Sequence, residues 1–113
     1  SLDSAGTVLA SGNLNRGVVQ APGAGTRLMW YPRRAAFRAG RASGTEWDDA
    51  SIGAYSAALG LGTTASGSQS IALGNGATAS GSSSTAMGDR TLASGNTATA
   101  LGFESTASGG YST

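Results

Sequence analysis

A chain of 113 residues is long enough for one ordinary domain, yet 19 residues are glycine and only 6% are aromatic, so it lacks the large side chains that a globular core of this size buries. With 12% charged residues and a formal net charge of +1, it is not a charge-driven disordered chain either. The absence of cysteine and histidine excludes a disulfide framework and a thiolate metal site, and removes the usual general base, zinc ligand and pH switch.

Residues 1–49 form a non-repetitive region. Two weak strand-like pieces, GTVLASGNL from Gly6 and GVVQA from Gly17, are separated by turn residues and followed by Pro22-Gly23-Ala24-Gly25. Next comes TRLMWYPRRAAFRAGR, where bulky aromatics stand close together, and Trp47, Asp48 and Asp49 lead out of the region. The open end of a solenoid needs larger side chains over it. A capping or entry element is therefore expected here.

All seven basic residues are arginine, and Arg16, Arg27, Arg33, Arg34, Arg38 and Arg41 lie in this region. With Trp30, Tyr31 and Phe37 they carry the ingredients of a polyanion site, arginine for phosphates and aromatics for stacking. Against these six arginines stand four acids, so the excess is small. The simpler reading pairs the arginines with Glu46, Asp48 and Asp49, and no nucleic acid is expected as a partner. The three acids lack the wider ligand loop of a calcium site, so neither metal nor cofactor is expected.

From Ala50 to Thr113 the sequence falls into rows of fourteen without insertion or deletion: ASIGAYSAALGLGT, TASGSQSIALGNGA, TASGSSSTAMGDRT, LASGNTATALGFES and the partial row TASGGYST. Glycine recurs at Gly53, Gly67, Gly81, Gly95 and Gly109, and again at Gly60, Gly74, Gly88 and Gly102. Ala58, Ala72, Ala86 and Ala100 form one column and Leu59, Leu73, Met87 and Leu101 the next. Fourteen residues are too few for two helices. They suit two short strands and two tight turns, so each row is one coil of an all-β, parallel β-solenoid.

Strand alternation then separates inside from outside. Ser70, Ala72 and Gly74 fall on one face of SQSIALG, with Ile71 and Leu73 on the other. In TASG, Ala65 and Gly67 oppose Thr64 and Ser66. Joining the small faces leaves an interior of alanine, glycine and serine, with Ser56, Ser70, Ser84 and Ser112 in a fixed inward column. No histidine exists to activate these serines, so the chain is not expected to be an enzyme. Leu59, Ile71, Leu73, Met87 and Leu101 project outward as an apolar stripe, and each costs about 1.5–3 kcal/mol if left in water. Burial against further copies, about an axis parallel to the solenoid, covers all coils at once, so these five residues are the expected oligomer core. Asn75, Asp89, Arg90, Phe103 and Glu104 stand at turns where residues can vary between coils without disturbing the fold, and are the expected ligand contacts. The outer hydroxyls of Thr64, Ser66, Thr78, Ser80, Ser94, Thr106 and Ser108 leave an ice-binding solenoid as an alternative, although Leu92 interrupts their array.

The columns S-x-A-[LM]-G and x-A-S-G at this spacing, above all SQSIALGNGATASG, resemble the head repeats of trimeric autotransporter adhesins, the YadA-like heads. The resemblance covers residues 50–113. It implies a left-handed parallel β-roll, a homotrimer with the SxAxG strand toward the threefold axis, an extracellular or cell-surface setting, and a matrix, cell-surface or glycan ligand. GTRLMWYPRRAAFRAG followed by WDDASIGAYSAALG resembles the entry to such repeats in phage-tail and surface fibres, which implies a structural spacer as the alternative function. No stretch is apolar for long enough to span a bilayer, and Ser1 does not begin a signal peptide. A membrane anchor is expected only outside this chain.

Overall fold

The computed structural model describes residues 6, 9–16, 18, 19 and 22–113. Two strands come first, β1 (Gly25–Tyr31) and β2 (Ala36–Ala42), joined by a turn of 3-10 helix at Pro32–Arg34. Each row of fourteen then gives one five-residue and one two-residue strand: β3 (Ala57–Leu61) and β4 (Thr64–Ala65), β5 (Ile71–Asn75) and β6 (Thr78–Ala79), β7 (Thr85–Asp89) and β8 (Leu92–Ala93), β9 (Thr99–Phe103) and β10 (Thr106–Ala107). The result is an all-β parallel solenoid with two sheets, ordered β1-β2-β3-β5-β7-β9 and β4-β6-β8-β10.

Alanine and glycine are poor strand formers, so these strands owe their existence to stacking rather than to local preference. Ala58, Ala72, Ala86 and Ala100 lie in register across the large sheet. Each coil donates to the next: Ala57 N–H to Ser70 O at 3.0 Å, Ile71 N–H to Ser84 O at 3.0 Å, and Thr85 N–H to Ala98 O at 2.9 Å. A repeat that drifted in length would break every such bond downstream of the slip.

The two glycine columns serve two different needs. Gly74 has φ +123°, and a Cβ there would sit 2.0 Å from the carbonyl oxygen of Gly88. At Gly67 the backbone angle is ordinary but the space is absent, because a Cβ would sit 2.0 Å from Gly81 O. Both columns mark places where one coil rests directly on the next.

Ten alanines, Ala58, Ala65, Ala72, Ala77, Ala79, Ala86, Ala93, Ala98, Ala100 and Ala107, make the interior cluster. Ser56, Ser70 and Ser84 are buried beside it, and their hydroxyls donate to Gly53 O, Gly67 O and Gly81 O, each at 2.6 Å. Ser112 makes the same bond to Gly109 O at 2.6 Å but is less enclosed.

The region before the repeats joins this stack through β2. β1 and β2 pair antiparallel as a hairpin, and β2 runs parallel to β3 with Arg38 opposite Ala58. Arg38 thus enters the interior alanine column and is fully buried. Its Nη2 donates to Ser56 Oγ at 2.9 Å and Ala65 O at 3.1 Å, and its Nη1 to Phe37 O at 3.0 Å and Ser56 O at 3.2 Å.

The expected strand-like pieces before Pro22 differ from this picture. Residues 9–16, 18 and 19 carry no strand, while Thr7, Val8, Gly17, Gln20 and Ala21 lie outside the described residues. Asn15 takes a left-handed conformation, φ 62°, and donates its N–H to Arg33 O at 2.8 Å, so the chain lies as a loop against the hairpin turn. Serine, glycine and asparagine favour that turn over an extended ladder.

Candidate interaction surfaces

The outer face of the six-stranded sheet carries its large side chains in two straight ladders. One runs Leu59, Leu73, Met87, Leu101, and the other Ala57, Ile71, Thr85, Thr99. All eight point away from the alanine interior because neighbours in a strand alternate in direction. Ile71 is 41% exposed and Leu101 51% exposed, while Leu59 and Leu73 are half-buried by their neighbours. No charged residue interrupts either ladder. The five residues expected as an oligomer core are therefore together on one surface, with Leu59, Leu73, Met87 and Leu101 in line and Ile71 one ladder across.

A third ladder, Leu61, Asn75, Asp89, Phe103, borders these two at one corner of the coils. Here the structure gathers the residues expected to touch a ligand, and it also engages them with one another. Arg90 lies 3.5 Å from an Asp89 carboxylate oxygen and 3.5 Å from one of Glu104, and its guanidinium stands 4.9 Å from the centre of the Phe103 ring. Asn75 takes part through its backbone carbonyl, which accepts from Arg90 N–H at 2.7 Å. Arg90 and Glu104 have φ 56° and 52° at turn positions filled by Gly62 and Gly76 in the earlier coils. These pairs are exposed, so each contributes little to stability.

At the opposite corner stands a column that sequence reasoning did not single out. Tyr55, Gln69, Ser83, Thr97 and Tyr111 are all exposed and all left-handed, with φ between 57° and 61°. The last four each donate their N–H to the preceding coil's corner, Gln69 to Ala54 O and Tyr111 to Asn96 O, both at 2.7 Å, while Tyr55 N–H bonds Arg34 O of the hairpin turn at 2.7 Å. The signal was present as a position of free identity just before the inward serine column.

On the small sheet, Thr64, Thr78, Leu92 and Thr106 align in register, so the hydroxyl face is two residues wide per coil and broken by exposed Leu92.

The acids before the repeats act differently from the expected arginine pairing. Asp49 does pair with Arg34, at 3.5 Å, and accepts a hydrogen bond from Tyr31 Oη. That bond, more than Arg34 and Arg33, holds its carboxyl below the usual range, while burial chiefly raises the Tyr31 phenol. Asp48 instead accepts from Gly23 N–H at 2.7 Å. For Glu46, desolvation pushes the carboxyl up, but bonds from Ser43 Oγ at 2.7 Å and the N–H groups of Ser43 and Gly44 outweigh it and hold it low. Burial lowers the Arg38 guanidinium to about 10, which leaves it charged at neutral pH. Among the described residues no group of three or more His, Cys, Asp or Glu could hold a metal ion, and no helix is long and apolar enough to cross a membrane.

The family model for the YadA head domain repeat matches residues 51–77, 65–91 and 93–113, more than half of the chain. No curated protein and no solved structure matches it. Repeats of this kind are structural adhesin domains of trimeric autotransporters rather than enzymes, and domains of the family form homotrimers. The fourteen-residue coils, the alanine interior and the match agree, and the chain belongs to the YadA head domain repeat family.

Proposed function

We propose that this chain is a non-enzymatic adhesive segment of a homotrimeric cell-surface or fibre protein, working outside the cell. The observation that carries the reading is the pair of uncharged ladders on the outer face of the large sheet, set beside an interior filled mainly by alanine and serine, with Thr63 and Thr91 as larger buried side chains. A surface of that kind gains from burial against further copies. Three chains packed with Leu59, Leu73, Met87 and Leu101 toward a common axis, each a left-handed roll, account for it. Residues 1–49 close the N-terminal end of the roll, and the outward corners remain free for a matrix, cell-surface or glycan ligand.

A structural spacer of a tail or surface fibre is the second reading. The mutual pairing of Asp89, Arg90, Phe103 and Glu104 favours it, because residues already engaged with one another have less to offer a ligand. The experiment is binding of the isolated chain to immobilised matrix proteins, cultured cells and glycan arrays. Saturable binding supports adhesion. Uniform absence of binding by a stable assembly makes the chain a spacer.

A further inference from the structure

The outer face does not stop at the repeats. In the hairpin, Trp30 is in register with Phe37, and Phe37 with Ala57, so the ladder continues as Trp30, Phe37, Ala57, Ile71, Thr85, Thr99. Its neighbour runs Leu28, Ala39, Leu59, Leu73, Met87, Leu101. Leu28 is 75% exposed and Trp30 41% exposed. With Phe37 and Ala10 they line a groove of about 410 Å³. Across both ladders, over six strands, no position is charged.

We infer that the hairpin's outer surface, Leu28, Trp30 and Phe37, is part of the chain–chain interface, and that its occupant is the same surface of a second copy. This inference rests on the homotrimer proposed above and adds to it an aromatic collar around the axis at the hairpin end. Continuity of register is the first argument. An axis parallel to the direction in which the strands stack that passes the leucine column also passes Leu28 and Trp30, because both sets lie on one face at successive heights.

Area is the second argument. Strands about 4.8 Å apart give the four repeat strands only about 19 Å of axis, and the hairpin extends this to about 29 Å. A stable interface takes about 800 Å² from each partner, so a third of the available length is a large part of what the assembly needs. Charge is the third. Symmetry about a parallel axis sets each residue against its own copy or near neighbours, and any charge on these ladders would meet a like charge. The two ladders are free of charge, while Arg41 and Asp89 stand on the bordering one.

Acrylamide quenching of tryptophan fluorescence tests this. Trp47 is fully buried within the chain, so the difference between the native chain and Trp30→Phe isolates Trp30. Assembled chain is compared with the dissociated Leu101→Asp variant, whose change lies at the far end of the sheet. Protection of Trp30 by about threefold or more on assembly, with a blue-shifted emission, is the expected result. In parallel, Leu28→Asp should raise the dissociation constant at least tenfold with unchanged circular dichroism. An assembled chain whose Trp30 is as accessible as in the dissociated variant, or a Leu28→Asp variant that assembles normally, overturns the inference and leaves the homotrimer standing. A native chain with the mass of one copy overturns both. Protection of a single copy that arises only with phosphatidylcholine vesicles also overturns it, in favour of a lipid occupant.

Discussion

The indole Nε1 of Trp47 donates to the carbonyl oxygen of Thr63 at 3.0 Å, in the place that a backbone N–H fills in every later coil. Thr64 N–H bonds Ala77 O, Thr78 N–H bonds Thr91 O, and Leu92 N–H bonds Ser105 O, each at 2.8 Å. β4 is the edge of the small sheet, so Thr63 O has no strand beyond it. Ala65 O is treated alike, with Gly53 N–H at 2.9 Å and Arg38 Nη2 at 3.1 Å. Two side chains thus finish a sheet that would otherwise present bare carbonyls.

Trp47→Phe keeps most of the apolar bulk and removes the donor, leaving Thr63 O unpaired in a buried site. The expected loss is about 1–3 kcal/mol, read as a lower midpoint in thermal or chemical unfolding. An unchanged midpoint would mean that water reaches this carbonyl.

Neighbouring residues on β5 predict opposite failures. Ala72 is fully buried against other alanines, so Ala72→Leu overfills the roll and costs about 1–3 kcal/mol or more. Leu73 faces outward, and Leu73→Asp should leave the far-ultraviolet circular dichroism of the single chain intact while abolishing assembly, because it sets unpaired carboxylates together near the axis. If Ala72→Leu melts normally and Leu73→Asp unfolds the chain, the two faces have been assigned the wrong way round.

Ala98 stands where Ser56, Ser70, Ser84 and Ser112 place a hydroxyl that donates to a glycine carbonyl at 2.6 Å. Its own coil has the same backbone, with Ala98 N–H bonded to Gly95 O at 3.2 Å. Ala98→Ser should therefore raise stability by about 1 kcal/mol, the net value of one more hydrogen bond. A drop in the melting temperature would show that this coil is tighter than its neighbours.

Acid should act first on the region before the repeats. Asp49 and Glu46 have folded-state carboxyls held below their ordinary range, so the unfolded chain binds more protons as the pH falls through about 4. Their contribution is complete above that value and is lost as the pH drops through the depressed ones. The expected result is a red shift of Trp47 emission below about pH 4 while the circular dichroism of the alanine-filled roll persists. Emission unchanged down to pH 2 would show that neither carboxylate supports this region.

The repeat region was legible because stacking forces columns. A coil that rests on Gly88 through Gly74 repeats its glycine, and the split between Ala72 and Leu73 follows from strand alternation alone. The region before it was less legible, for physical reasons. Its hairpin turns through Ala35 at φ 50°, and alanine gives no turn signal. Arg38 is expected from the sequence to pair with one of the nearby acids, since charged residues are rarely buried without a partner, yet it occupies the interior column on neutral oxygens alone. Pairings such as Arg90 with Glu104 join residues fourteen apart, one coil to the next, and become visible once the coils are laid over each other.

The central claim, that the outward ladders of the large sheet are an interface between copies, is tested most directly by the molar mass of the chain in solution, followed by light scattering or sedimentation over a dilution series. A mass three times that of the single chain, persisting on dilution and lost in Leu73→Asp, is the predicted result. A folded, soluble single chain at every concentration would contradict the account.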